Sequence, residues 1–303
     1  LPSVAGRRGV TVVDPGLLTL VQDLGRPGLG DLGVVASGAA DRDAARQANR
    51  LVGNRSREAV LETALGGLTL TAHGHQVMAL AGAEAGGTIT AADGATRRVP
   101  ARAPFVVLDG QTLTVDEPVG GLRVYVGLRG GIDVPPVLGS RSTDTLSGLG
   151  PPPVTVGDVL DIGDAVVGPW ADGWQAAVGG TDARQPVDLD VIPGPRDDLF
   201  PPEAWDVLAA TGHVSGHADR VGVRIDPARP VPRLSRGEIP SEGMVRGAVQ
   251  IPADGRPVVF GPDHPVTGGY PVIGVLTSHS ADRISQLLPG TPVRLHRARG
   301  VGD

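Results

Sequence analysis

Apolar residues in this chain come in short β-branched runs, most broken within a few residues by glycine or proline. Val10–Asp14 and Leu17–Asp23 open the series, and Gln76–Leu80, Thr88–Thr90, Phe105–Leu108, Leu122–Leu128 and Val159–Ile162 continue it. The later runs are Val187–Ile192, Val221–Ile225, Val258–Phe260, Val272–Thr277 and Val293–His296. Their length and punctuation predict strands. Helical spacing occurs in three places. Asp41–Val52 puts Ala44, Ala45, Ala48, Leu51 and Val52 on one face, with Asp41 as N-cap and Gly53-Asn54 as stop. Glu203–Ala210 starts behind Pro201-Pro202 and stops at Gly212. Ala281–Leu288 is capped by Ser280 and ended by Pro289-Gly290. Residues 168–186 lose periodicity and are expected to form a linker. Each half is therefore mostly β with one or two helices, which suits a closed or folded-over sheet.

The chain also repeats itself. Ser37-Gly38-Ala39-Ala40-Asp41-Arg42 returns as Ser215-Gly216-His217-Ala218-Asp219-Arg220, and Val13-Asp14-Pro15-Gly16 as Val191-Ile192-Pro193-Gly194, at the same offset. Glu62 with Gly67 returns as Glu242 with Gly247. A solenoid would repeat every ~20–50 residues, so this longer spacing implies two related domains in tandem. They are expected at 1–180, linker included, and 181–303. Pro15 should match Pro193, and Asp41 should match Asp219.

Composition narrows the function. Net charge is −6 and only 3% of residues are aromatic, so neither a basic patch nor stacking platforms favour nucleic acid. There is no cysteine, which excludes disulfides, thiolate metal sites and cysteine nucleophiles. All basic residues are arginine. That rules out a P-loop lysine, a Schiff-base lysine and covalent biotin on this chain. No apolar run is long enough to span a membrane as a helix, and a cytoplasmic location is expected. His73 and His75 have no accompanying ligand pattern, so no metal site is expected.

Four segments could carry chemistry. Glu238–Gly274 holds Ser241-Glu242-Gly243, Asp263-His264 and Thr267-Gly268-Gly269-Tyr270. Here Asp263, His264 and Thr267 could supply acid, base and hydroxyl, and the di-glycine would let amides approach a ligand. The alternative is a turn-rich hairpin whose glycines serve positive φ. In Gly139–Asp144, Ser142 and Thr143 beside Arg141 suit an anion; a solvated loop explains them equally. Asp23 and Arg26 suit an ion pair that pins a turn. The repeated Ser-Gly-x-Ala-Asp-Arg motif fits an architectural role, since an active site is usually needed once.

Gly16–Gly28, Ser37–Asn54, Gly130–Thr145 and Ser241–Gly274 together resemble a family. It is known as allophanate hydrolase subunit 2, as KipA-like or as the C subunit of 5-oxoprolinase, and it is related to the carboxyltransferase domain of urea carboxylase. The chain departs from it at Ala40 and in Asp219-Arg220-Val221-Gly222. The resemblance implies a mainly β fold, a tandem pair of cyclophilin-like β-barrel domains with a few short helices. It implies a subunit-1 or KipI-like partner and a third, larger oxoprolinase subunit. It also implies ATP-dependent opening of 5-oxoproline, with ATP and Mg²⁺ used by the complex. On that basis Arg141, Asp263, His264 and Tyr270 are the candidate catalytic residues. Ser142, Thr143, Thr267, Gly268 and Gly269 are the candidate phosphate or substrate loops. A biotin-dependent carboxyltransferase component and a non-enzymatic KipA-type regulatory binder are the alternatives.

Overall fold

A computed structural model of the chain describes residues 8–173, 176, 185–235 and 237–298. Most of the expected linker lies outside them. The chain divides into two units. Unit 1 comprises Leu1–Arg26, Asp41–Asp144 and Gly148–Gly180; unit 2 comprises Pro27–Ala40, Thr145–Ser147 and Thr181–Asp303. Two pieces of the first half thus group with the second.

Unit 1 contains β1 (Gly9–Asp14), β2 (Leu18–Gln22), α1 (Arg42–Leu51), β3 (Val60–Ala64), β4 (Thr69–His73) and β5 (Gln76–Gly82). Then come β6 (Gly87–Thr90), β7 (Thr96–Val99), β8 (Pro104–Val107), β9 (Thr112–Val115), β10 (Arg123–Leu128) and β11 (Val159–Asp161). They form two antiparallel sheets, ordered β11-β1-β4-β9-β6-β7 and β2-β3-β10-β5-β8. Alternation sets which side is buried. In β4, Leu70 and Ala72 face the core while Thr69 and Thr71 line up with Thr114 and Thr112 of β9, hydroxyl to hydroxyl at 3.2 and 3.0 Å. Val10, Val12, Leu61, Leu80, Leu113 and Val126 fill one apolar core. Helix α1 starts where Asp41 accepts a hydrogen bond from the Ala44 amide at 2.9 Å, and it buries Ala44, Ala45, Ala48 and Leu51. Its alanine face permits a close approach to β10. A Cβ on Gly127 would lie 2.6 Å from the Ala48 carbonyl oxygen.

Unit 2 contains β12 (Val187–Pro193), α2 (Glu203–Ala209), β13 (Gly212–Ala218), β14 (Gly222–Asp226), β15 (Glu242–Gly243) and β16 (Ala248–Gln250). It continues with β17 (Val258–Phe260), β18 (Thr267–Gly268), β19 (Val272–Leu276), α3 (Ser278–Ile284) and β20 (Pro292–Arg297). Seven of these strands close a barrel, β12-β19-β16-β17-β14-β13-β20, sealed by parallel pairing of β12 with β20. Strand β12 alternates cleanly: Val187, Leu189 and Val191 point inward, Asp188, Asp190 and Ile192 outward. Each inward side chain contributes about 1.5–3 kcal/mol by burial. Ala204, Val207 and Leu208 of α2 and Ala281 and Ile284 of α3 join the same core. The two-stranded ribbon β15-β18 stands apart from the barrel ladder.

The fold is mainly β with a few short helices, as expected, three of them α-helices among the described residues, and several sequence-based details change. Gly212 does not stop α2; that helix ends at Ala209, Ala210 is already extended, and Gly212 opens β13. Helix α3 starts earlier than expected because Thr277 is its cap, accepting from the Ser280 amide at 3.3 Å. The repeated motif is also used differently in its two copies. Asp41 caps a helix, whereas Asp219 accepts from the Val221 and Gly222 amides in the turn joining β13 to β14. Local structure is therefore not equivalent at Asp41 and Asp219: a helix follows one and a strand the other.

Candidate functional site

The strongest polar constellation in unit 2 converges on Asp263, which is fully buried. Its Oδ1 accepts from Ser37 Oγ at 2.6 Å and Arg220 Nη2 at 3.1 Å. Its Oδ2 accepts from Arg220 Nε at 2.8 Å, the Thr145 amide at 2.9 Å and Thr145 Oγ1 at 2.7 Å. Arg220 also donates to the Gly38 carbonyl at 2.7 Å. Burial alone would raise the Asp263 pKa. The Arg220 charge and the donors from Arg220, Ser37 and Thr145 outweigh it and hold the group below its ordinary value. Five donors on two carboxylate oxygens leave no lone pair for a metal ion. Asp263 thus fastens the pieces of unit 2: the segment carrying Ser37, the segment carrying Thr145, and the barrel. A second, part-buried pair, Arg246 with Asp282 at 2.5 Å, adds a donor to the Ala40 carbonyl at 2.7 Å.

The rest of the predicted segment has its own partners. His264 is 6% exposed; its Nδ1 is 2.8 Å from the Pro265 carbonyl, and its ring sits 6.0 Å from that of Phe260. Thr267 and Gly268 pair with Gly243 and Glu242, and the Gly269 carbonyl accepts from the Ile239 amide at 2.9 Å. The reason for glycine at 268 is space, not positive φ: a Cβ there would lie 2.7 Å from Gln250 Nε2. Tyr270 is partly exposed, and the Arg233 guanidinium carbon lies 5.9 Å from its ring centroid.

The other predicted loop belongs to unit 1. Arg141 Nε donates to the Val134 carbonyl at 2.7 Å, and Nη2 is 3.1 Å from Asp133. Ser142 is buried; its Oγ meets Ser140 Oγ at 2.8 Å, and Ser140 donates to Asp23 at 2.6 Å. Thr143 is buried, with its carbonyl accepting from Gln22 Nε2 at 2.8 Å. The expected Asp23–Arg26 pair is replaced by separate partners. Asp23 takes the Gly25 amide, Ser140 and the Arg141 amide; Arg26 donates to the Val137 and Ser142 carbonyls.

Sequence reasoning missed Ser37, Thr145 and Arg220 as partners of Asp263. The signal was there in part: Ser37 comes from the first copy of the repeated motif and Arg220 from the second. It missed also a buried triad in unit 1. Tyr125 donates to Glu62 at 2.8 Å and accepts from the Asp41 amide at 2.7 Å, while Arg123 lies 3.4 Å from Glu62. Burial first, then the Glu62 and Asp41 charges, push the Tyr125 phenol well above its ordinary pKa. Among the described residues no group of three or more His, Asp and Glu side chains is arranged to hold a metal ion, and no helix is long and apolar enough to cross a membrane.

Residues 32–297 match the family model described as the carboxyltransferase domain, subdomain A and B. The C subunit of 5-oxoprolinase from Escherichia coli (strain K12) is 34% identical over 287 residues, covering 93% of this chain and 89% of that protein. The urea amidolyase of Saccharomyces cerevisiae is 30% identical over 310 residues, covering 94% of this chain and 16% of that one. Among solved structures, TTHA0988 superposes with a TM-score of 0.82 at 34% identity, and the urea amidolyase of Kluyveromyces lactis with 0.85 at 27%. This chain spans 57% of the length of the first and 19% of the second.

Proposed function

The chain belongs to the family of the carboxyltransferase domain, subdomain A and B, and from that premise we propose that it is one subunit of an ATP-dependent 5-oxoprolinase. The supporting observation is the match in length. The chain corresponds to nearly all of a separate polypeptide, the C subunit of 5-oxoprolinase, and to under a fifth of urea amidolyase. A lactam is a poor electrophile. Transfer of the γ-phosphoryl group of ATP to its oxygen releases ADP and activates the ring carbon. Water then adds, the C–N bond opens with nitrogen leaving as the amine, and hydrolysis of the acyl phosphate gives glutamate and phosphate. With no lysine in the chain, this chain's share of charge neutralisation would fall to arginine and main-chain amides, with Mg²⁺ held by carboxylates of the complex. Asp263 is excluded from that last role by its five donors.

The test is reconstitution with a subunit-1-like protein and a larger oxoprolinase subunit. Glutamate and ADP should form in equal amounts only when all chains are present. Turnover that does not change when this chain is left out overturns the proposal. Arg141→Ala and Tyr270→Ala should each lower turnover by about 10²–10³ if either contact is made in the transition state, with assembly intact. Activity within about twofold of wild type in both would move the site off these two loops.

A second reading has its own support in the TM-score of 0.85 to a urea amidolyase. On that reading the chain is a carboxyltransferase component. Its biotin carrier must lie outside residues 1–303, because none of them is lysine. Avidin-sensitive, bicarbonate-dependent ATP turnover would favour this reading over the first.

A further inference from the structure

On unit 2 a cavity of about 370 Å³ opens between the Pro230–Arg233 segment and the turn at Asp254-Gly255. Its walls are rigid for identifiable reasons. Pro230 and Pro232 fix the backbone on one side. The Val231 amide donates to the Gly255 carbonyl at 2.9 Å and ties the two sides together. Gly255 sits at φ +72°, where a Cβ would lie 2.7 Å from Pro230 Cβ.

Opposite charges line this cavity. Arg233 is half-buried with an incompletely satisfied guanidinium: Nη2 donates to the Gly237 carbonyl, but Nε and Nη1 are covered and meet no acceptor. A covered donor without an acceptor is costly, and more so on a charged group. The guanidinium lies over the Tyr270 ring, 5.9 Å from its centroid, and its residue lines the cavity, so a carboxylate entering there would meet a cation whose hydrogen-bonding capacity is not filled. Asp254 is half-exposed; one oxygen accepts from the Arg256 amide at 3.1 Å and the other lies 4.0 Å from Arg224. Its remaining capacity suits a cation, and it disfavours a bare anion beside Arg233.

We propose that this cavity is a binding site for a small zwitterion, a free α-amino acid, with its carboxylate on Arg233 and its ammonium on Asp254. The volume is at the small end of ligand pockets, and the prolines and Val231 supply the apolar wall. Arg233 touches Tyr270, a candidate contact of the reaction proposed above, so the test reads binding to this chain alone and not turnover.

Calorimetric titration of the full chain with L-alanine, L-proline and L-glutamate is the test. Acetate, methylamine and inorganic phosphate serve as single-charge and anion-only probes. At least one amino acid should bind saturably, and more tightly than all three probes. Arg233→Gln and Asp254→Asn should each weaken binding about tenfold or more, as expected for loss of a charge-assisted contact. The Arg233 Nε–H resonance, identified by its disappearance in Arg233→Gln, should move on titration. If Arg233→Gln fails to fold, Asp254→Asn at its half-exposed position carries the test. The proposal is overturned if no amino acid saturates up to its solubility limit, if acetate or phosphate binds as tightly, or if the folded variants keep wild-type affinity.

Discussion

Replacing Arg220 with alanine tests the reading of Asp263 as a fastening point. The variant removes two charged hydrogen bonds, at 2.8 and 3.1 Å, from a carboxylate with no exposure. It also leaves the Gly38 carbonyl without that donor. Breaking a buried pair by removing one partner costs ~3–5 kcal/mol. Here Ser37 and Thr145 still donate, so the lower part of that range applies, about 3 kcal/mol. With a urea dependence of about 2–3 kcal/mol per molar, the unfolding midpoint of unit 2 should fall by roughly 1–1.5 M. The fluorescence of Trp205, which packs against the unit 2 core, follows that transition. Acid should matter as well. The Asp263 pKa is depressed in the folded state, so its contribution is present above the unfolded value of about 3.9 and is lost as pH falls through the lower folded value. Arg220→Ala should remove most of that dependence. Arg220→Lys, which keeps the charge but not the two-point geometry, should fall between. A loss under about 1 kcal/mol for Arg220→Ala, far below the buried-pair range, would refute the assignment of Asp263 as the hub.

Other outcomes follow from the same contacts. Tyr125→Phe should cost about 1–3 kcal/mol, because Glu62 and the Asp41 amide both lose a partner in a buried place; chemical denaturation of the variant measures this. Asp41→Ala should remove about 1 kcal/mol through loss of the α1 cap, and Asp41→Asn should restore most of it. Gly127→Val should be among the most damaging single changes in unit 1, since its Cβ meets the Ala48 backbone at 2.6 Å; loss of soluble protein or a large drop in Tm checks it. Gly268→Ala should be tolerated better, because the atom it meets is the end of a flexible glutamine.

Much of the fold was legible because apolar alternation marks strands regardless of partner. Val187–Ile192 and Leu122–Leu128 appear within a residue or so of their predicted limits. Strands β3, β7, β13, β15, β16 and β18 were not foreseen, nor were β4 and β9. Strands β4 and β9 show why. They are four or five residues long and rich in threonine, so their signal is weak until the two hydroxyl rows are seen facing each other. Helix α3 was misplaced because Thr277, Ser278 and Ser280 all offer N-caps, and tertiary packing chooses among them. The candidate site was legible only as a set of residue types. Burial of Asp263, and its use of Ser37 and Thr145 from far along the chain, depends on long-range packing that local pattern does not encode. Even so, the duplicated Ser-Gly-x-Ala-Asp-Arg motif pointed to two of the residues involved.

The division of the chain has a consequence for biosynthesis. Pro27–Ala40 and Thr145–Ser147 belong to unit 2, but the ribosome makes them before Thr181–Asp303. Unit 1 has all its own segments as soon as Gly180 has emerged, and domains generally fold as they appear. The two early pieces of unit 2 must then wait, with Ser37 and Thr145 lacking Asp263, until the barrel arrives. A gene fragment beginning at Thr181 would make a barrel without Ser37 or Thr145, leaving Asp263 with Arg220 but without those three donors. Such a fragment should be harder to express in soluble form than the whole chain, and supplying residues 1–180 as a separate polypeptide should rescue it.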